Sequence, residues 1–246
     1  MTQDRAKEPT IFAIGGGGFS SLLDGYSVNL TGKVAPKACF LPTASGDAEG
    51  YIENFYAAFR PLGAQCSHLS LTRYNQPDPI AHLLDQDLIY VGGGNAFQML
   101  LVWQAHGIDK ALRQAWNQGT VLTGLSAGSI CWFSGATTDS WGLPLRVLND
   151  GLGFLPGSHS PHYDSEAERR VTYERNIATG ALPDGLAIEG DDEQAVAGAS
   201  RARRGSFTRS MIAARFTKRA RNSMGGIACV HELVGAPRCR LPALAL

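Results

Sequence analysis

Val121-Leu122-Thr123-Gly124-Leu125-Ser126-Ala127-Gly128 is the stretch that decides how this chain is read. An apolar run, Val121 to Leu125, leads into Ser126-Ala127-Gly128, and Ser129 to Phe133 continues as a helix-compatible segment. The result is a Gly-x-Ser-x-Gly pattern between a buried strand and a helix. In that context a serine is forced onto a strained strand-to-helix turn, its hydroxyl projecting above the end of the strand. Gly124, Ala127 and Gly128 are small, as a tight turn requires, and the helix N-terminus beyond the serine favours developing negative charge.

Working outward, the same alternation recurs. Pro9 to Ile14 precedes Gly15–Gly18, Ala38 to Leu41 precedes Pro42–Gly46, and Leu88 to Val91 precedes Gly92–Gly94. Continuous apolar strands separated by helices predict a mostly parallel sheet buried on both faces, a doubly wound α/β fold of the flavodoxin or class I glutamine amidotransferase-like kind. Tyr51, Ile52, Phe55, Tyr56 and Phe59 mark an amphipathic helix over 47–60. Helices are also predicted over 95–103, with Asn95 as N-cap, and over 108–118, stopped at Gly119. Ligands bind at the carboxyl ends of such strands, where the glycine turns fall. The GGGG at 15–18 is a poor dinucleotide loop, because GxGxxG needs a glycine where Ser20 stands and an acid about twenty residues on, where 32–36 offers none.

Composition sets the outer limits. The chain has 246 residues, 44% of them hydrophobic and 18% charged, which fits one globular domain over 1–246. Lys plus Arg (22) balance Asp plus Glu (22), so nothing overall invites nucleic acid or an anionic membrane. No stretch reaches the roughly 18 apolar residues of a membrane helix, and the polar start MTQDRAKEPT has no signal-peptide core. A cytoplasmic protein, monomer or homodimer, is expected. The five cysteines are scattered without CxxC or zinc spacing, which predicts reduced thiols and no metal. Beyond Arg146 the sequence becomes turn-rich (GLGFLPGSHSPHYDSE), followed by a charged helix-like run over 166–178. From Gln194 through His231 there is no acid, while Arg201, Arg203, Arg204, Arg209, Arg215, Lys218, Arg219 and Arg221 are basic.

A serine nucleophile needs a base and a group that orients the base. His68, His82 and His106 lie on strand or helix surfaces upstream, and His231 is in the basic tail. His159 and His162 remain, both in the turn-rich stretch, with Pro161 fixing the backbone before His162. Asp139, Asp164 and Glu166 compete as the acid, and spacing does not rank them. Backbone amides for an oxyanion hole come from Ala127 and from the Gly92-Gly93-Gly94 turn.

Tyr90-Val91-Gly92-Gly93-Gly94-Asn95-Ala96-Phe97-Gln98, Gly124-Leu125-Ser126-Ala127-Gly128, Thr137-Thr138-Asp139 and Pro161-His162-Tyr163 occur in the order seen in peptidase E, the aspartyl dipeptidases of peptidase family S51. The chain resembles that family from about residue 10 to 198. The resemblance implies a cofactor-free serine peptidase acting on small peptides, with Ser126 as nucleophile, His162 as base and Asp139 as acid, Glu189 joining Asp164 and Glu166 as alternatives. It implies Gly94 and Ala127 as the oxyanion hole, with Asn95 and either Arg169 or Arg170 binding a substrate that begins with aspartate. Three departures stand out: Ser129-Ile130-Cys131-Trp132 after the elbow, Leu125 before the serine, and the acid-free basic run, which does not match the family's closing strands and points to a divergent or frameshifted end over 199–246. A cyanophycinase-like or broader exo- or carboxypeptidase, and a catalytically silent binding protein, are the rival expectations.

Overall fold

The computed structural model describes residues 9–163, 165–188, 199–202 and 211–212. In chain order the elements are β1 (Ile11–Ile14), α1 (Ser21–Leu30), β2 (Lys37–Leu41), α2 (Glu49–Phe59), β3 (Gln65–His68), α3 (Pro79–Leu84), β4 (Leu88–Val91), α4 (Ala96–His106), α5 (Ile108–Asn117), β5 (Val121–Leu125) and α6 (Ala127–Ile130). There follow β6 (Phe133–Thr138), β7 (Arg146–Leu148), β8 (Leu155–Ser160), α7 (Arg169–Ala178), β9 (Gly185–Ile188), β10 (Ala199–Ala202) and β11 (Met211–Ile212).

A parallel six-stranded sheet, in the order β11-β1-β5-β4-β2-β3, forms the centre. Successive residues of a strand point to opposite faces, and both faces are apolar here. Phe12, Phe40 and Tyr90 pack on one side with Phe55 and Phe59 of α2 and Leu23 and Val28 of α1. Ile11, Cys39, Ile89 and Leu122 pack on the other with Met99 and Trp103 of α4 and Leu112 and Trp116 of α5. The doubly wound expectation holds, and its four quoted strands lie within one or two residues of where the apolar runs put them. Asn95 caps α4, its Oδ1 accepting the Gln98 amide at 2.9 Å.

Two sequence expectations are corrected. The helix after Ser126 occupies Ala127–Ile130 rather than 129–133, and Phe133 opens β6. The turn-rich region holds β8 and belongs to a second sheet, β10-β9-β8-β6-β7, in which β6, β8 and β9 run parallel. Its two longest strands, β6 (FSGATT) and β8 (LPGSHS), are built largely of small and polar residues, so they lack the branched apolar signature of strands. The second sheet joins the first through one core cluster in which Phe133, Leu155 and Ile188 lie with Ile130 and Leu122. Cys39, Cys66 and Cys131 are free thiols, while Cys229, Cys239 and most of the basic run lie outside the described residues. Among the described residues no helix is long and apolar enough to cross a membrane.

One buried charge in α1 makes the fold pH-sensitive. The Asp24 Oδ2 accepts the Ser20 amide at 2.8 Å, whereas its Oδ1 is buried without a hydrogen-bond partner among the described residues. Burial pushes its carboxyl up to about 7. An acid raised in the folded state costs stability progressively as pH climbs from its unfolded value, about 3.9, to the folded one. Asp24→Asn removes that cost, so its melting temperature relative to the parent protein is predicted to rise between pH 4 and pH 8. Thermal unfolding at both pH values checks this, and an unchanged difference would contradict it.

Candidate active site

Parallel strands bring their carboxyl ends to one edge, and the order β1-β5-β4 decides what meets there. Ser126 leaves β5 with the loop after β1 on one side and the loop after β4 on the other. Its backbone is held at φ 54° and ψ −114°, outside the ordinary regions for a non-glycine residue. The turn persists because its surroundings leave no alternative: the Ser126 amide donates to Ile14 O at 3.1 Å. A methyl on Gly124 would lie 2.5 Å from Gly128 O, and one on Gly128 would lie 2.2 Å from Val91 O. The glycines of the Gly-x-Ser-x-Gly pattern are thus packing requirements of α6 seated on β4 and β5.

His162 completes the pair. Its Nε2 lies 2.8 Å from Ser126 Oγ, within reach for proton transfer. It too has positive φ, 52°, and its amide donates to Gly15 O at 3.3 Å. Among the described residues only Asp47, Ser126 and His162 are non-glycines with positive φ, so two of the three strained positions carry this serine and histidine; backbone strain tends to collect at functional sites. The imidazole rests directly on Gly16, where an added methyl would come within 2.4 Å of Cε1 and 2.5 Å of Nδ1. The glycine run rejected as a nucleotide loop is the seat of this histidine. Gly16 did not stand out in the sequence because its contact depends on a ring arriving from 146 positions further along the chain.

On the opposite side lies the Gly92–Gly94 turn. The Gly93 amide donates to the Tyr51 hydroxyl at 3.0 Å. A methyl on Gly93 would come 3.4 Å from Ser126 Cβ, which places this turn against Ser126. Gly94 has φ 135°, and a methyl there would strike Ala44 O at 2.2 Å, so the turn admits no side chain at that position.

The other expected residues are placed as follows. Asp139 ends up beside Arg169, Oδ1 to Nη2 3.8 Å, with its side chain 58% exposed. Among the described residues no hydrogen bond joins it to His162. Arg169 is 2% exposed, and its Nε and Nη2 meet Glu166 Oε2 at 2.8 and 2.7 Å while Nη1 donates to Thr137 O at 3.0 Å. The Glu166 amide donates to His162 O at 3.2 Å, so Arg169 straps the turn that carries the imidazole to the end of β6. Arg170 is 66% exposed, pairs with Glu174 at 3.1 Å, and has its guanidinium carbon 5.6 Å from the ring centre of Tyr163, the neighbour of His162. Asn95 uses both ends of its amide within the fold, since Nδ2 donates to Ser140 O at 2.7 Å while Oδ1 caps α4. Asp164 and Glu189 lie outside the described residues. His159, the other candidate base, sits inside β8 rather than in a turn, fully buried and 2.9 Å from Ser129 Oγ. Among the described residues no cluster of three or more His, Cys, Asp or Glu could hold a metal ion.

With this geometry in place, the likeness to known proteins falls into line. Residues 11–200 match the sequence model of peptidase family S51. A Bacillus subtilis (strain 168) protein named uncharacterized peptidase YgaJ is 47% identical over 184 residues, 73% of this chain and 79% of that protein. Peptidase E of Streptomyces coelicolor is 28% identical over 181 residues, 67% of this chain and 72% of that one. The crystal structure of a peptidase from an acI-B1 Actinobacterium shares the fold, with a TM-score of 0.53 at 21% identity over 77% of this chain and 82% of that one.

The seat beneath the imidazole yields a prediction. In Gly16→Ala the ring, the far end of a mobile side chain, moves more cheaply than the backbone does. Stability is therefore expected to stay close to the parent while kcat/KM falls on the order of 100-fold, the cost of misplacing a catalytic group by about 1 Å. Melting temperature and peptidase rate measured on the same preparation check this; full activity would show that the ring does not depend on Gly16.

Proposed function

Because the chain belongs to peptidase family S51 and is a serine-type peptidase, we propose that it hydrolyses short peptides, dipeptides beginning with aspartate above all, through an acyl-enzyme on Ser126. The observation that carries this reading is the 2.8 Å contact between His162 Nε2 and Ser126 Oγ. Neutral His162 takes the hydroxyl proton as Oγ attacks the scissile carbonyl, and the imidazolium then returns the proton to the departing amine. Water enters by the same route in reverse and frees the acyl group.

The oxyanion formed in both steps is proposed to accept hydrogen bonds from the amides of Ala127 and Gly94. Ala127 opens α6, whose first amides have no acceptor within the helix. At the neighbouring turn Gly93 is engaged by Tyr51, which favours Gly94 as the second donor. Asn95 serves by tying this turn to Ser140 rather than by touching substrate.

For the substrate's aspartate, Arg170 is the better-suited cation. The buried Arg169 is shared by Glu166, Asp139 and Thr137 O, so a further carboxylate would have to displace partners that hold the fold. Arg170 is held by a surface pair of the kind worth little and lies over Tyr163 beside His162, so exchanging Glu174 for a ligand carboxylate costs little. Asp139 is proposed to act on the imidazole at one remove, through Arg169 and Glu166.

A dipeptide screen tests the reading. Asp-X peptides are expected to be cleaved well above Ala-X, with Ser126→Ala lowering kcat at least about a thousandfold. Arg170→Ala should raise KM for Asp-X and leave Ala-X unchanged. Equal cleavage of Asp-X and Ala-X would remove the aspartate preference, and preferential attack on aspartate-arginine polymer or on N-blocked peptides would favour a broader or cyanophycinase-like specificity. Rate should climb with pH across the ordinary histidine range, about 5 to 8, as the base loses its proton; a flat profile would exclude His162 from that role.

A further inference from the structure

Three residues after Ser126 stands a second serine, and three before His162 a second histidine, and these two also meet. Ser129 Oγ lies 2.9 Å from His159 Nε2, and both residues are fully buried. His159 Nδ1 is 2.8 Å from Leu186 O, which only accepts, so Nδ1 carries the proton and Nε2 presents its lone pair to Ser129. Phe133 stacks on the ring at 4.7 Å between centres, 17° from parallel. Burial holds the imidazole down at about 3, so it stays neutral wherever the enzyme's own base is active.

The Ser129 hydroxyl also lies 2.8 Å from Ser126 O, which takes the Ser129 and Ile130 amides at 2.9 Å each. Its single proton therefore sits between two acceptors, the nucleophile's carbonyl and the buried imidazole. Back-bonding of a helical serine to the residue three before it is common and needs no histidine. The contact that goes beyond it joins the first turn of α6 to the last residues of β8.

We propose that Ser129 and His159 are a positioning pair that fixes the nucleophile elbow against β8 and so sets the distance between Ser126 and His162. The inference rests on the assignment of Ser126 and His162 as nucleophile and base. One helical turn separates Ser126 from Ser129, and only Ser160 and Pro161 separate His159 from His162. Pinning Ser129 to His159 therefore fixes the take-off points of both reactive side chains, in a dry setting where water does not compete for the bond. Neither residue touches substrate.

The test uses the full chain and whichever dipeptide it turns over fastest. Ser129→Ala and His159→Leu are expected to lower kcat tenfold or more with KM within twofold and the pH midpoint of the rate unchanged, because His162 remains the base. His159→Gln, whose amide reaches the Nε2 position, should recover part of the loss. Ser129→Ala leaves the imidazole bonded to Leu186 O and keeps the fold even where His159→Leu does not, so melting curves accompany each rate. A purely structural role would lower the melting temperature and leave kcat of the folded protein alone. Folded Ser129→Ala with kcat within twofold of the parent, or a change in KM only, would overturn the pair. Ser126→Ala run alongside separates the two failures: if it keeps activity the nucleophile assignment falls, whereas an inactive Ser126→Ala beside a full-speed Ser129→Ala sinks only the positioning pair.

Discussion

The arrangement of the site depends on β5 lying between β1 and β4 with all three strands parallel. From that pairing follow the neighbours of Ser126: the loop on which the imidazole rests on one side, the glycine turn with its amides on the other. No long-range steering is required, because adjacent strands in a sheet are about 4.8 Å apart and the residues leaving their ends are neighbours. The backbone of the elbow is strained, and the strain is sustained by close packing of α6 on β4 and β5, where a single added methyl at Gly124 or Gly128 would collide with backbone oxygen.

A second constraint holds the imidazole. His162 comes from a turn beyond β8, a strand of the other sheet, so the two sheets must keep register for the pair to form. One buried polar link spans that junction, Ser129 meeting His159 across α6 and β8. It is shielded from water, so its hydrogen bond carries more weight than a comparable contact at the surface. Within the second sheet Arg169 binds Glu166 on the His162 turn and Thr137 O at the end of β6.

Much of this was legible in the sequence, for identifiable reasons. Strands β1, β2, β4 and β5 read as apolar runs because both their faces are buried, and the elbow stood out because a serine between small residues at a strand's end has few other uses. The second sheet was not legible: β8, Leu155-Pro-Gly-Ser-His-Ser160, has the composition of a loop and is a strand only by virtue of its neighbours β6 and β9. For the same reason His159 read as a loop residue, although the strand buries it completely. The roles of Gly16 and Arg169 depend on contacts between segments distant in sequence, which no local pattern records. A spacing signal did exist for the second serine and histidine, since Ser126 and Ser129, like His159 and His162, are three apart, but it becomes informative only once the pairing of the two segments is known.

The most direct measurement is covalent: the native protein is treated with a fluorophosphonate near pH 8 and the modified peptide is mapped by mass spectrometry, with His162→Ala treated in parallel. The account predicts one phosphonyl group, on Ser126, forming rapidly in the parent and very slowly without the imidazole. A protein that stays unmodified, or one labelled equally fast without His162, would contradict it.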